Sequence, residues 1–149
     1  ETAVNYVNAP VIAAERGIEV SEERFRASRD YMNTVRVIVR AGGQDVEVAG
    51  TTIGPEHRLF LAHALDYGID IELAPLMVCL SYSDVPGVIG RIGTMFGEAG
   101  VNIANMAVSR TKEGGTALMA LSIDTPAPPE LVERVGGEGF SHVRFIRLD

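Results

Sequence analysis

In the first half of the chain, short apolar runs rich in β-branched residues are separated by turn residues, which predicts strands joined by hairpins. The predicted strands are 34–40, 44–49, 58–65 and 69–73, with 50–55 as a loop or strand end. Gly42-Gly43 is typical of a two-residue hairpin turn. A short helix is predicted from Ala9-Pro10 to Gly17. The charged stretch 18–31 fits either an extended edge or a frayed helix.

In the second half, strands and helices alternate in the order βαββαβ. The predicted strands are 76–82, 101–110, 117–123 and 141–148, and the predicted helices begin at Pro86 and after Pro126. The first helix has one apolar face and ends at Gly100, where a left-handed cap belongs. The apolar phase changes near Ala104, which predicts a bulge.

This order implies an antiparallel four-stranded sheet with both helices on one face. The predicted fold class is α+β: a small mixed α/β domain at 1–74, followed by a ferredoxin-like βαββαβ domain at 75–149. A hydrophobic content of 46% in 149 residues is enough for two small cores.

Composition excludes several classes of partner. The net charge of −7 argues against nucleic acid and anionic membranes, which need basic surfaces. No apolar stretch approaches the roughly 18 residues of a membrane span. The single Cys79 cannot form an internal disulfide, which fits a reducing cytoplasm. The chain begins at Glu1-Thr2 without Met, and we expect it to be a piece of a longer protein.

The turn between the strand at 76–82 and its helix carries the strongest candidate chemistry. The amides of Gly87 and Val88 at the helix N-terminus attract a carboxylate, and Asp84 can accept from an ammonium group. Tyr82 points to the same side of a regular strand as Asp84. These groups suit a small zwitterion. The alternative is that Asp84 is an ordinary helix N-cap.

Two signatures in the chain resemble known families. Residues 84–90 (Asp-Val-Pro-Gly-Val-Ile-Gly), followed after one helix by Gly100-Val101-Asn102-Ile103, resemble the ligand-binding signature of ACT domains. Residues 4–17 and Val-Ala-Gly-Thr-Thr-Ile-Gly at 48–54 are similar to long-form D-3-phosphoglycerate dehydrogenases and their intervening, allosteric substrate-binding domain. That family usually closes the intervening domain with Asp-Gly-aromatic, whereas this chain has Asp66-Tyr67-Gly68.

The resemblance implies that L-serine binds between two ACT domains of a homo-oligomer as a feedback inhibitor. It assigns the serine amine to Asp84 and the carboxylate to the amides of Gly87 and Val88. Tyr82 would be a flanking hydroxyl, and Asn102 would come from the partner chain. The alternative for Asn102 is a structural amide at a strand turn.

The resemblance also places the NAD site and the catalytic residues in a part of the parent oxidoreductase outside this chain. No Gly-x-Gly-x-x-Gly occurs here. We therefore expect the chain itself to hold no cofactor and no catalytic site.

Two other functions are compatible with these patterns. Iron–sulfur L-serine dehydratases carry a similar pair of domains, although one Cys cannot ligate a cluster. The chain could also be an oligomerisation module without a working ligand site. The helix that begins at Pro86 carries Gly90, Gly93 and Gly97. These small residues predict that it lies tightly against the sheet or against a partner subunit.

His57 and Arg58, beside Gly54-Pro55, are a candidate anion or phosphate site in the first domain, with Arg36 or Arg40 assisting. The alternative is that they are solvated charges at a strand edge. His57 and His63 have no Cys or carboxylate at ligand spacing, so no metal site is expected.

Overall fold

The computed structural model describes residues 3–24, 31–111 and 115–148. Their elements are α1 (Ala9–Glu15), β1 (Val35–Ala41), β2 (Gln44–Ile53), β3 (Arg58–Ala64), β4 (Tyr67–Glu72), β5 (Leu76–Ser83), α2 (Val88–Glu98), β6 (Ile103–Arg110), β7 (Thr116–Ile123), α3 (Pro129–Gly137) and β8 (Ser141–Arg147). The α+β class and the βαββαβ order of the second half are confirmed. Residues 18–24 form neither helix nor strand, and 25–30 lie outside the described residues.

The first sheet has the antiparallel order β1-β2-β3-β4. Gly42 and Gly43 both have positive φ, 60° and 77°, as the predicted hairpin turn requires. Strand β2 continues through residues 50–53, which the pattern left as a loop or strand end. The β1–β2 register brings valines of both strands onto one face, and these side chains are exposed: Val35, Val37, Val39, Val46 and Val48.

The second sheet has the order β6-β7-β5-β8, with all neighbours antiparallel. On one face, α2 and α3 bury a core that includes Phe96 and Val135. On the other face, Ile69 and Ile71 of β4 belong to a second buried cluster with Leu118 of β7. The second sheet is therefore covered on both faces.

A bulge in β6 decides which of its residues face the helices. The register against β7 shifts between Ile103 and Asn105, which confirms the predicted change of phase near Ala104. After the shift, Met106 packs on the helix-side core and Ala107 on the opposite cluster. Since side chains alternate along a strand, Arg110 also projects to the helix side.

Helix α2 begins later than predicted. Its N-cap is Gly87, at φ 91° and ψ −11°, and no side chain caps it. These angles match the third position of a type II turn, with Pro86 at the second, so the chain turns before it can enter the helix. The start at Pro86 and the alternative of Asp84 as N-cap are both wrong.

The other end of α2 is as predicted. Gly100 is left-handed, with φ 69°. Its N–H donates to the Gly97 carbonyl at 3.0 Å, and the Val101 N–H donates to the Phe96 carbonyl at 2.9 Å. This pair of bonds is a Schellman cap, and it directs the chain from α2 back into β6.

The helical glycines do not lie against the sheet. A Cβ atom added at Gly90, Gly93 or Gly97 would meet nothing within 4 Å among the described residues. Tight packing of these positions on the sheet is therefore wrong for this chain. Packing against a partner subunit stays a prediction.

We expect Gly93→Ala to raise the free energy of unfolding by about 1 kcal/mol, because alanine removes the helix-propensity cost of glycine and meets no neighbour. Urea unfolding at low protein concentration measures the change. The control is Gly100→Ala, where the left-handed φ of 69° makes any side chain destabilising. A loss of stability in Gly93→Ala would contradict this account of the exposed face.

Candidate functional site

An open cavity of about 480 Å³ lies at the N-terminal end of α2. Its lining consists of residues 84–90 and Arg110. Asp84, Gly87 and Val88, three of the predicted site residues, are therefore brought together in one depression. The pattern of the sequence did not point to Arg110.

Asp84 and Arg110 form an ion pair at the edge of this cavity. Arg110 Nη1 donates to Asp84 Oδ2 at 3.1 Å, and the side chains are 57% and 22% exposed, respectively. The Asp84 N–H donates to the Gly115 carbonyl at 2.8 Å, which ties the turn to the start of β7. An ion pair this exposed contributes at most about 1 kcal/mol to stability. The fold thus depends little on it, and the pair is exposed mainly on the arginine side.

The strand register explains how Arg110 reaches Asp84. Arg110 lies opposite Ala117 of β7, and Ala117 lies opposite Tyr82 of β5, so the three form one row on the helix side of the sheet. Ala117 is fully buried and offers only a methyl group in the middle of this row. A small residue there leaves space for the Arg110 side chain to cross β7.

The first turn of α2 supplies backbone donors to the same cavity. The first intrahelical bond runs from the Arg91 N–H to the Gly87 carbonyl at 3.0 Å. The amides of Val88, Ile89 and Gly90 precede it and have no partner within the helix. Together with the helix dipole, such amides favour an anion.

Tyr82 is placed differently from the other predicted site residues. It is only 5% exposed, belongs to the helix-side core and does not line the cavity. Its ring meets Phe140 edge-on, with centroids 6.3 Å apart. Burial, and to a lesser degree the charge of Asp84, raises the pKa of the Tyr82 hydroxyl. The hydroxyl is therefore neutral and able to donate at physiological pH.

Asn102 lies beyond the opposite end of α2. Helix α2, with 11 residues, is about 16 Å long and lies between Asp84 and Asn102 in the chain. Asn102 Nδ2 donates to Asp124 Oδ2 at 2.6 Å, and the Asp124 N–H donates to the Asn102 carbonyl at 3.2 Å. One chain by itself does not bring Asn102 to the cavity.

The candidate anion site of the first sheet is not assembled in the described residues. Arg58 Nη1 pairs with Glu72 at 2.9 Å, and its guanidinium lies 5.6 Å from the centroid of the Phe60 ring. Arg36 lies opposite Ala49, four positions along β2 from Ile53, the residue opposite Arg58. Arg36 pairs with Glu47 at 3.2 Å, and Arg40 with Asp45 at 3.1 Å. Anion binding at His57 and Arg58 stays a prediction.

Other kinds of site find little support in the described part of the chain. No three His, Cys, Asp or Glu side chains there lie close enough to hold a metal ion. None of its helices has the length and apolarity needed to cross a membrane. Cys79 is a free thiol, half-buried between β7 and β8, and burial raises its pKa.

Two family models match successive parts of the sequence. Residues 1–62 match the D-3-phosphoglycerate dehydrogenase intervening domain, and residues 78–138 match the ACT domain. The Asp84 cavity, α2 and Asn102 all lie in the second match.

Curated relatives match nearly the whole chain. A D-3-phosphoglycerate dehydrogenase of Archaeoglobus fulgidus is 36% identical over 148 residues, which cover 97% of this chain and 28% of that protein. One from Mycobacterium tuberculosis is 37% identical over 88% of this chain and 25% of its own length. One from Bacillus subtilis is 33% identical over 91% of this chain and 26% of its own length.

The chain thus spans about a quarter of the length of the curated relatives that it matches. Both matched segments, in this order, are those of a regulatory region, and they contain the cavity described above. The chain therefore belongs to the D-3-phosphoglycerate dehydrogenase family as a regulatory region, in which an intervening domain is followed by an ACT domain.

Proposed function

We propose that this chain binds L-serine at the Asp84 cavity and thereby inhibits a D-3-phosphoglycerate dehydrogenase activity that lies outside these residues. Its two domains would be 1–74 and 75–149. The parent protein would be a cytoplasmic, NAD-dependent homo-oligomer, with NAD bound outside this chain. The observation that carries the proposal is a carboxylate, Asp84, set beside helix amides that have no partner within α2, in an open cavity of the matched ACT segment.

The charges of the cavity suit both ends of a free amino acid. The ammonium of serine would donate to Asp84, a bond that is strengthened because both groups are ionised. Its carboxylate would accept from the backbone amides of Gly87 and Val88 at the start of α2. Tyr82 would be a flanking hydroxyl beneath the turn, kept neutral because burial and, to a lesser degree, the charge of Asp84 raise its pKa.

The position of Asn102, beyond the far end of α2 and outside the lining of the cavity, favours a site shared by two chains. Because α2 separates the two residues within one chain, Asn102 of one protomer would complete the cavity of another. Its Nδ2 already donates to Asp124, which leaves the amide oxygen to accept from the serine ammonium. Bound serine would then join two ACT domains.

Inhibition would follow from this linkage. Serine that bridges two chains stabilises the subunit arrangement in which both half-sites meet, and catalytic domains in the same polypeptides experience that arrangement. A coupling of about 1–3 kcal/mol between effector and active site is typical of such systems.

Calorimetric titration with L-serine tests the proposal, with D-serine as the matched control. At about 100 times its Kd, serine would add about 2.7 kcal/mol to the free energy of unfolding. For a domain of this size, that is a rise in Tm of about 5–10 °C. Light scattering should show association promoted by serine. A dimer that no amino acid affects would favour the oligomerisation module instead, and the absence of both heat and a Tm shift would rule out serine as the ligand.

A further inference from the structure

Arg110 has a position in the cavity that the proposed serine site does not use. It is the last residue of β6, it lines the cavity with residues 84–90, and its side chain is more than half exposed. Among the described residues, Asp84 is its hydrogen-bond partner, through the single Nη1 atom. A guanidinium carries five N–H donors, so most of them remain available to a molecule in the cavity.

The geometry points to a ligand-binding role for Arg110, and this inference rests on the proposed function of the cavity. We propose that Arg110 binds the carboxylate of the amino-acid ligand and thereby restricts the site to zwitterions. A planar guanidinium matches a carboxylate with two parallel donors. The α2 amides would hold one face of the same carboxylate, whose two oxygens together accept about four hydrogen bonds.

Arg110 would also balance the negative charge of Asp84 in the cavity. The hydrogen bond from Arg110 goes to Oδ2 of Asp84, which leaves the other oxygen to accept from an ammonium group. The pair is neutral as a whole, so a zwitterion enters without adding net charge to the site. A ligand with an amine but no carboxylate makes no bond to the guanidinium. A ligand with a carboxylate but no amine is repelled by the negative charge of Asp84. Each single-charged analogue therefore loses one attraction and gains no replacement.

Several features of the fold hold Arg110 in this place. The bulge between Ile103 and Asn105 puts Arg110 on the helix side, and Ala117 leaves its side chain a path across β7. The Asp84 N–H bond to the Gly115 carbonyl fixes the carboxylate-bearing turn to the strand between them. Arg110 is thus positioned by the sheet, whereas Asp84 is positioned by the turn.

The test compares ligand selectivity in Arg110→Gln, Arg110→Lys and the unchanged protein by calorimetry. The ligands are L-serine, L-serinamide, which lacks the carboxylate charge, and 3-hydroxypropanoate, which lacks the amine. Arg110→Gln should weaken serine binding about 10- to 100-fold, the loss typical of a charge-assisted hydrogen bond. Serinamide binding should change by less than about threefold, since it does not use that bond. Arg110→Lys keeps the positive charge but lacks two parallel donors, so its affinity for serine should lie between those of Arg110→Gln and the unchanged protein.

Arg40→Gln is the matched control, because Arg40 forms an exposed ion pair with Asp45 at the same distance, 3.1 Å, far from the cavity. It should leave serine affinity unchanged, and all variants should melt within a few degrees of one another. Equal serine affinity in Arg110→Gln and the unchanged protein overturns the assignment of Arg110 and leaves the proposed function standing.

Thermal shift over the common L-amino acids separates the remaining outcomes. If serine has no effect but another amino acid raises the Tm, and Arg110→Gln removes that shift, the role of Arg110 stands and serine is wrong. If no amino acid shifts the unchanged protein, both the proposed function and the role of Arg110 are overturned.

Discussion

Replacing Asp84 by alanine is expected to weaken L-serine binding about 100-fold. The substitution removes an ionised acceptor, and hydrogen bonds to charged groups contribute about 1.5–3 kcal/mol each. It also leaves the positive charge of Arg110 uncompensated beside the cavity, where it repels an ammonium group. Calorimetric titration of Asp84→Ala with L-serine measures the loss.

The same variant should fold normally. The Asp84–Arg110 pair is exposed on the arginine side, so its removal should lower the free energy of unfolding by less than about 1 kcal/mol. Asp84→Asn, which keeps the shape but not the charge, should bind serine with an intermediate affinity. Asp45→Ala, at the matched pair with Arg40, should bind it normally. Undiminished serine binding in a folded Asp84→Ala protein would show that the amine lies elsewhere.

Replacing Phe96 by alanine is expected to lower the free energy of unfolding by about 3–5 kcal/mol. Phe96 is 0% exposed and belongs to the core between α2, α3 and the second sheet. Truncation removes the transfer free energy of a buried ring and leaves a cavity that the surrounding side chains fill only in part. Since whole domains are stable by about 5–15 kcal/mol, this is a large share of the total. Urea unfolding followed by circular dichroism measures the change.

Ile89→Ala is the control on the same helix. Ile89 is 53% exposed, so its truncation should change the free energy of unfolding by no more than about 0.5 kcal/mol. The comparison separates core packing from helix propensity, because both substitutions introduce alanine into α2. A similar cost at the two positions would contradict the burial assigned to each face.

The candidate site could be predicted from the sequence only in part. The Asp-Val-Pro-Gly turn indicated Asp84, Gly87 and Val88, because the signals for a turn and a helix start are local. Arg110 lies 26 positions from Asp84, and nothing local connects them. A signal did exist: the change of phase near Ala104 puts even-numbered residues of β6 on the helix side, and Arg110 is one of them. It becomes informative only once the β6–β7–β5 order and its register are known.

The start of α2 was mispredicted for a related reason. Proline is favoured in the first turn of a helix, but it is equally favoured at the second position of a type II turn when glycine follows. The helix start and the type II turn are therefore compatible with the same Pro-Gly sequence. The positive φ of Gly87 shows that the chain forms the turn here. Asp84 therefore does not cap the helix, and its carboxylate pairs with Arg110.

Local sequence patterns were sufficient to predict the order of elements, the hairpin at Gly42-Gly43, the cap at Gly100 and the bulge near Ala104, since each depends on neighbouring residues alone. That β4 covers the far face of the second sheet depends on packing between distant parts of the chain. Leu118 and Ala120 of β7 are buried in a cluster with Ile69 and Ile71 of β4, a contact that no local pattern predicted. Packing between distant strands also decides which charges meet at the cavity. Contacts between strands distant in sequence depend on register and on which faces pack together, and these are set by the burial of the whole chain.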